Sequence, residues 1–351
     1  MVVAFRSRPV LIRREEEHSS TGRFIDPSKT IMKLSIIFVN WNSVDYLTEC
    51  IASIYRYEPQ IPIEIIVVDN ASPRDRVESL SEQFPEVVLI KSKKNLGFAA
   101  ANNLGFKHST GSYVLFLNPD TKLTSPAITT MLEGIKSLPL AGIVGCKLLN
   151  TDLSVQLTSI QKFPTILNQL FDLEFLQIRW PSCPLWDISP LFLRDPVPTP
   201  VEVISGACML FRREVFAKVG MFSEDYFMYA EDIDLNYKVR SAGFQNYYLG
   251  QASIVHHGGG SSSRQSVSQW KTIMKYNAML KYYRKNRGRT YEALYRTTMG
   301  CSAAGRLLLL ALTYPLSTIF SQRQFVRQAI SKWTAILKWA VGRQALSAEI
   351  R

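Results

Sequence analysis

The chain has 351 residues, 46% apolar and 20% charged, enough to bury a sizeable core and unlike a disordered or fibrous protein. Its five cysteines contain no CxxC pair, which argues against a disulfide framework and a thiolate zinc site and favours a reducing, cytoplasmic compartment. The net charge of +12 is local: residues 264–351 hold 16 Lys and Arg against 2 Asp and Glu, leaving residues 1–263 at −2. An anionic partner is therefore expected at the C-terminal segment alone.

In chain order, residues 1–31 combine a mixed-charge stretch, RREEEHSS, with short apolar runs broken by arginine. They lack a secretory core and read as a flexible extension, with Met32 a second candidate start. From Leu34 short β-rich runs alternate with helical ones: LSIIFVN, VDYLTECIASIY, IEIIVVDN, RVESLSEQF, VVLIKS, FAAANNLGFKHS and YVLFLN. This βαβαβαβ pattern predicts an α/β fold, a Rossmann-like, mainly parallel sheet with helices on both faces.

Such sheets bind ligands at the carboxyl ends of their strands, and polar residues gather there. The first strand ends at Asn40-Trp41-Asn42 and the second at Asp69-Asn70-Ala71-Ser72; the third leads into Asn95-Leu96-Gly97-Phe98, and the fourth ends at Asn118-Pro119-Asp120. Each alone could cap a helix, because Asn, Asp and Ser accept from the free amides of a first turn. Four at one edge favour a ligand. Pro119 withdraws a ladder donor, and Asp120, which follows at once, could hold a hard divalent cation through oxygen.

Residues 150–200, rich in Pro and Trp and without a period, are expected to line a cleft or to form an irregular layer. VEVISGACMLFRREVFAKVG then predicts a strand and a short helix. Ala230-Glu231-Asp232-Ile233-Asp234 opens a further helix, where acidic residues either balance the helix dipole or offer a general base, Asp232, kept ionised by free amides. The three carboxylates cannot all face one site at helical spacing. Lys238 and Arg240 could add charge near a phosphate or lie on a solvated face.

His256-His257 precedes a glycine run that would let the backbone approach a phosphate. One imidazole could ligate a cation, the alternative being a solvated loop pair; imidazole beside carboxylate suits manganese better than calcium. Residues 265–351 are predicted mostly helical, with Trp333, Ile336, Leu337, Ala340 and Val341 at helical spacing. The run LLLLALTYPLSTIF at 307–320 is too short to span a bilayer, and both a membrane-surface anchor and a packed helix are open for this segment. KYYRKNRGR would suit nucleic acid as well as membrane.

With these residues in place, the chain resembles the family-two glycosyltransferases of GT-A fold, and within them the rhamnosyltransferase-like branch. The resemblance is carried by FVNWNS (38–43), VVDNAS (67–72), NLGFAAANNLG (95–105), LFLNPDT (115–121), SGACMLFRREVF (205–216), YAEDIDLNYKVRSAG (229–243) and VHHGGGSS (255–262). It covers residues 33 to about 263, and together with the composition it divides the chain into the extension 1–31, a GT-A domain at 32–263 and a basic, mostly helical segment at 264–351. It further implies an inverting hexosyltransferase, rhamnosyl transfer among the candidates, building cell-surface polysaccharide or glycolipid at the inner face of a membrane.

By the same resemblance Asp69 lies near the donor's base, while Asn40 and Asn95, Gly97 and Phe98 follow the nucleoside of a UDP- or dTDP-sugar. Asp120 stands for the last carboxylate of a DxD motif, and Asn118 departs from that motif, removing a charge from the site. Asp232 corresponds to the catalytic base, with Glu231 beside it at the substrate, and His256 to a late ligand of Mn2+ or Mg2+. The acceptor implied is a glycan or a lipid-linked sugar. The basic segment would meet an anionic membrane, with nucleic acid the lesser expectation. Two other readings are a sugar nucleotidyltransferase, for which NWNS stands where a glycine-rich loop is usual, and a non-catalytic sugar-nucleotide binder with a membrane- or RNA-docking tail.

Overall fold

A computed structural model describes residues 33–194, 197–258, 269–317 and 323–343. The expected extension at 1–31 and most of the glycine run after His257 lie outside the described residues. The first half runs β1 (Leu34–Asn40), α1 (Val44–Tyr57), β2 (Ile63–Asp69), α2 (Glu78–Gln83), β3 (Val88–Lys91), α3 (Gly97–His108) and β4 (Tyr113–Leu117). It continues through β5 (Thr121–Leu123), α4 (Ala127–Ser137) and β6 (Ala141–Leu149). The irregular stretch holds β7 (Ile160–Gln161), α5 (Ile166–Leu170), α6 (Glu174–Arg179) and β8 (Thr199–Val201). Then come β9 (Val203–Ile204), β10 (Cys208–Arg212), α7 (Arg213–Lys218), α8 (Glu231–Ser241) and β11 (Gln245–His256), followed by α9 (Gln269–Arg287), α10 (Arg289–Ser317) and α11 (Arg323–Ala340).

The main sheet has the order β3-β2-β1-β4-β10-β6-β11-β5, with β8 on the first half of β11. β1, β2, β3 and β4 are parallel, as the alternation predicts. β10 enters antiparallel between β4 and β6, which the short run CMLFR does not announce. Its insertion brings the start of β10, and the Ser205-Gly206-Ala207 turn before it, to the carboxyl end of β4, since Cys208 pairs with Leu117.

Both faces of the sheet are covered. On one, α1 lays Leu47, Cys50, Ile51 and Ile54 against the strands at helical spacing, beside α4 with Ile128, Met131 and Ile135. On the other, α3, α7 and α8 bury Ala99, Phe106, Phe216, Leu235 and Val239. Gly105 lets α3 approach β1 closely, because a Cβ there would stand 2.5 Å from Ile37 Cγ2.

The C-terminal helices build a third core on the outer side of α8, in which Tyr282, Tyr283, Tyr295, Ile336 and Trp339 meet Tyr226 and Ile233. The expected stripe on the last helix is therefore mainly packed core, although Val341 lies beyond the helix and is exposed. No described helix is long and apolar enough to cross a membrane.

Candidate functional site

β4 ends where Pro119 can no longer donate. The last bond at that end, from Asn118 N to the Ala207 carbonyl at 2.9 Å, is made across to the turn that opens β10. The chain then reverses into β5, whose pairing with the end of β11 sets Thr121 opposite His256. His257 N consequently donates to the Asp120 carbonyl at 2.9 Å, and the His256 ring meets the Asp120 carboxylate through its Nε2. The two histidines diverge, His257 facing the Tyr46 ring at 5.0 Å between centroids.

His256 Nε2 is 3.3 Å from Asp120 Oδ1 and 3.3 Å from Asn118 Nδ2. Its Nδ1 donates to Gln156 Oε1 at 2.9 Å, while Gln156 Nε2 donates to the His256 carbonyl at 2.6 Å. This bidentate hold leaves the Nε2 lone pair towards Asp120. With Nδ1 donating to Gln156, Nε2 and Asp120 Oδ1 set an imidazole nitrogen and a carboxylate oxygen side by side, a donor set that suits a divalent cation. Among the described residues no group of three or more His, Cys, Asp and Glu converges as a complete metal site. The pair fits a cation that takes its other ligands from phosphate and water. Gln156 was not foreseen: it lies in the stretch without a period, a hundred residues from its partner.

Across the Ala207 bond stands Asp232. Its Oδ2 accepts from Gly206 N at 3.0 Å and its Oδ1 from Ile233 N at 2.8 Å. Gly206 eases this approach, since a Cβ there would make a tight contact 3.1 Å from Asp232 Cβ. α8 is aimed at Gly206 by two consecutive left-handed residues, Tyr229 (φ 71°) and Ala230 (φ 63°), a backbone cost that functional sites commonly carry. Burial raises the Asp232 carboxyl above its ordinary value despite the two amides, so desolvation outweighs the helix terminus that was expected to hold it ionised.

Glu231, buried beside it, is pushed up to about 8 by burial first and by the Asp232 charge second, and its Oε2 has no hydrogen-bond partner. The third acidic residue, Asp234, turns away to Ser223, Tyr226 and Lys285. Lys238 and Arg240 are also removed from this edge. Lys238 binds the Gly220 and Met221 carbonyls, and Arg240 binds Gln245 Oε1 at 2.7 Å.

The ends of β1 and β2 form the other half of the edge. Asn40 Nδ2 donates to Asp69 Oδ1 at 3.0 Å, Ser72 Oγ at 3.2 Å and Asp75 Oδ2 at 2.9 Å. Asp75 also accepts from Val44 N, a tie that no local pattern in SPRD discloses. Asn70 joins this corner to the next strand end: its amide donates to Asn95 Oδ1 at 2.9 Å and accepts from Leu96 N at 2.8 Å. Gly97, at φ 79°, lies against the loop before α8. A Cβ would stand 2.3 Å from the Phe227 carbonyl, and that carbonyl accepts from Phe98 N at 2.8 Å. Asn40, Asp69, Asn95, Gly97, Phe98, Asn118, Asp120, Glu231, Asp232 and His256 thus lie on connected strand ends, turns and helix starts at one end of the sheet.

A family model described as Glycosyl transferase family 2 matches residues 35–220, more than half of the chain, and the chain belongs to that family. It is a glycosyltransferase of nucleotide-sugar donors. The chain is 28% identical over 246 residues to the N-acetylglucosaminyl-diphospho-decaprenol L-rhamnosyltransferase of Mycobacterium tuberculosis, a match covering 67% of this chain and 79% of the relative. It is 29% identical over 168 residues to rhamnosyltransferase WbbL of Escherichia coli K12, covering 46% of this chain and 61% of that one. Among solved structures it shares its GT-A fold with mannosyltransferase PcManGT from Pyrobaculum calidifontis in complex with GDP-Man and Mn2+. The TM-score is 0.55 at 16% identity, over 88% of this chain and 86% of the other.

Proposed function

We propose that the chain transfers a hexosyl or rhamnosyl group, with inversion, from a UDP- or dTDP-sugar to a hydroxyl of a lipid-linked glycan, with Asp232 as the general base. The observation that carries this reading is the bond from Asn118 N to Ala207 O, which joins the Asp120–His256 pair to the Gly206 turn that holds Asp232. The Mycobacterium tuberculosis relative, whose name specifies a decaprenyl-diphosphate-linked acceptor and rhamnose, supports the acceptor class and the sugar.

In this reading Asp69, held by Asn40, receives the donor's base, and the Asn95–Phe98 turn follows the nucleoside. Asp120 and His256 would hold Mn2+ or Mg2+, with Asn118 beside them. Held there, such a cation would supply charge neutralisation to the departing diphosphate, so that no acid would be needed on the leaving group. Asp232 takes the proton of the acceptor hydroxyl as that oxygen bonds to the anomeric carbon and the bond to the diphosphate breaks with its electron pair. Its two amide bonds fix the carboxylate, and its desolvation keeps the proton affinity high enough to accept. Glu231, protonated near neutral pH, can donate to the acceptor without adding a second charge beside the base. The basic helices turn towards an anionic membrane in this account, which fits a peripheral enzyme.

The test is donor turnover with a polyprenyl-diphosphate-sugar acceptor, followed by NMR of the product's anomeric configuration. Wild type should give inversion; a retained configuration would reject Asp232 as a base acting on the acceptor.

A further inference from the structure

We propose that α6 and the second half of α10 form one docking face that seats this protein on an anionic bilayer surface. Its use in delivering a lipid-linked acceptor rests on the function proposed above; the face itself does not.

Two apolar stretches lie open to solvent. Around α6 they are Phe171, Phe175 and Ile178, with Phe175 73% exposed. On α10 they are Leu308, Leu309 and Leu312, of which Leu312 is 68% exposed. They adjoin. Arg306 Nη2 donates to the Leu170 carbonyl at 3.1 Å, and Tyr291 Oη accepts from Ile166 N at 3.1 Å, so α5 is strapped along α10. The residue after Leu170 is Phe171, and the leucines begin within one turn of Arg306. A soluble monomer seldom leaves so large an aliphatic and aromatic face uncovered.

Charge selects the occupant. Residues 269–340, from α9 to α11, contain 13 Lys and Arg against one Glu, and Arg327, Lys332 and Lys338 are exposed on α11. Such a surface repels a second copy of itself and attracts anionic headgroups. Nucleic acid is the poorer fit, because the tyrosines that could stack on bases, Tyr282, Tyr283 and Tyr295, are buried in the helical core. With no described helix able to cross a bilayer, the leucines and Phe175 would enter only its boundary region. The third core and the bond from Lys285 to Asp234, at 2.9 Å, fix these helices to α8, which carries Asp232.

The full chain is sedimented with phosphatidylglycerol–phosphatidylcholine vesicles and with phosphatidylcholine alone, without donor. The expected partition is about tenfold higher on the anionic vesicles and falls with salt. Phe175→Glu with Ile178→Glu, and separately Leu308→Glu with Leu312→Glu, should each lower it about tenfold while circular dichroism stays that of wild type. Arg327→Glu with Lys332→Glu should remove the preference for anionic lipid. Should one apolar double variant misfold, quenching of Trp180 emission by brominated lipid, read as the difference from Trp180→Phe, reports the same contact. Asp232→Asn should bind vesicles as wild type does, so loss of turnover and loss of docking are read separately. Equal partition of wild type and folded apolar variants would overturn the proposal. So would binding to RNA without binding to vesicles, or a wild-type dimer dispersed by the α10 variant.

Discussion

Asp232 and Glu231 are neighbours in the chain that their surroundings treat differently. Asp232 keeps two amide donors, whereas the Oε2 of Glu231 has none and its carboxyl is raised to about 8. Below its ordinary value of 4.5 Glu231 is protonated in both folded and unfolded chains, so it contributes nothing to the pH dependence. As pH rises from there towards 8, the unfolded chain ionises while the folded one holds its proton, and stability is lost. Glu231→Gln should therefore melt with wild type near pH 4.5 and increasingly above it as pH approaches 8, in thermal scans across that window. For Asp232, the raised carboxyl puts the acid limb of kcat/KM above the ordinary carboxylate range; a limb at the ordinary value would mean that the base is less desolvated than it is here. The acidic first turn of α8 marked Glu231, Asp232 and Asp234 together from sequence, and only the resemblance of the surrounding motif singled out Asp232 among them. Gln156 had no such signal, since a glutamine in an unpatterned stretch acquires meaning only from what lies across from it. Gln156→Leu should free the His256 ring and weaken Mn2+ binding about 10- to 100-fold, as measured by calorimetry.

Between β1, β2 and the loop before β4, one carboxylate organises the amino end of the sheet. Glu64 binds Lys33, Ser35 Oγ at 2.5 Å and the Thr110 and Gly111 amides. Burial pushes its carboxyl up, but these partners outweigh it and bring it down to about 2. A depressed carboxyl stabilises the fold above the unfolded value, and that stability is lost as pH falls through 4.5 towards 2. Glu64→Gln should cost about 1–3 kcal/mol in urea unfolding at neutral pH and flatten the acid limb of stability. The parallel half of the sheet was readable because each strand is a continuous apolar run separated by a helix with its own stripe. β10 was readable as a strand but not as an antiparallel insertion, because CMLFR is apolar on both faces and carries no sign of direction. That insertion decides the site, bringing Gly206 and Asp232 to the strand end occupied by Asp120. β5 is only three residues long, yet its register sets His256 opposite Thr121.

Across the whole molecule, the basic C-terminal helices are bound to the sheet domain through α8. Asp234 is fully buried and meets Lys285, Ser223, Tyr226 and Asn286. Lys285→Ala should lower global stability by about 1–3 kcal/mol, since it strips a cation from a buried carboxylate that keeps its other partners. The excess charge of this region was visible by counting, whereas its attachment was not: the tyrosines that build its core follow no single stripe, as the packing comes from three helices and α8 together. The division of labour at the carboxyl edge is tested most directly by titrating donor and measuring turnover on two variants with Mn2+ present. Asp232→Asn should bind nucleotide sugar like wild type while kcat falls about 10²- to 10⁴-fold, and Asp120→Asn should lose donor affinity. Full turnover by Asp232→Asn, or donor binding untouched in Asp120→Asn, would contradict it.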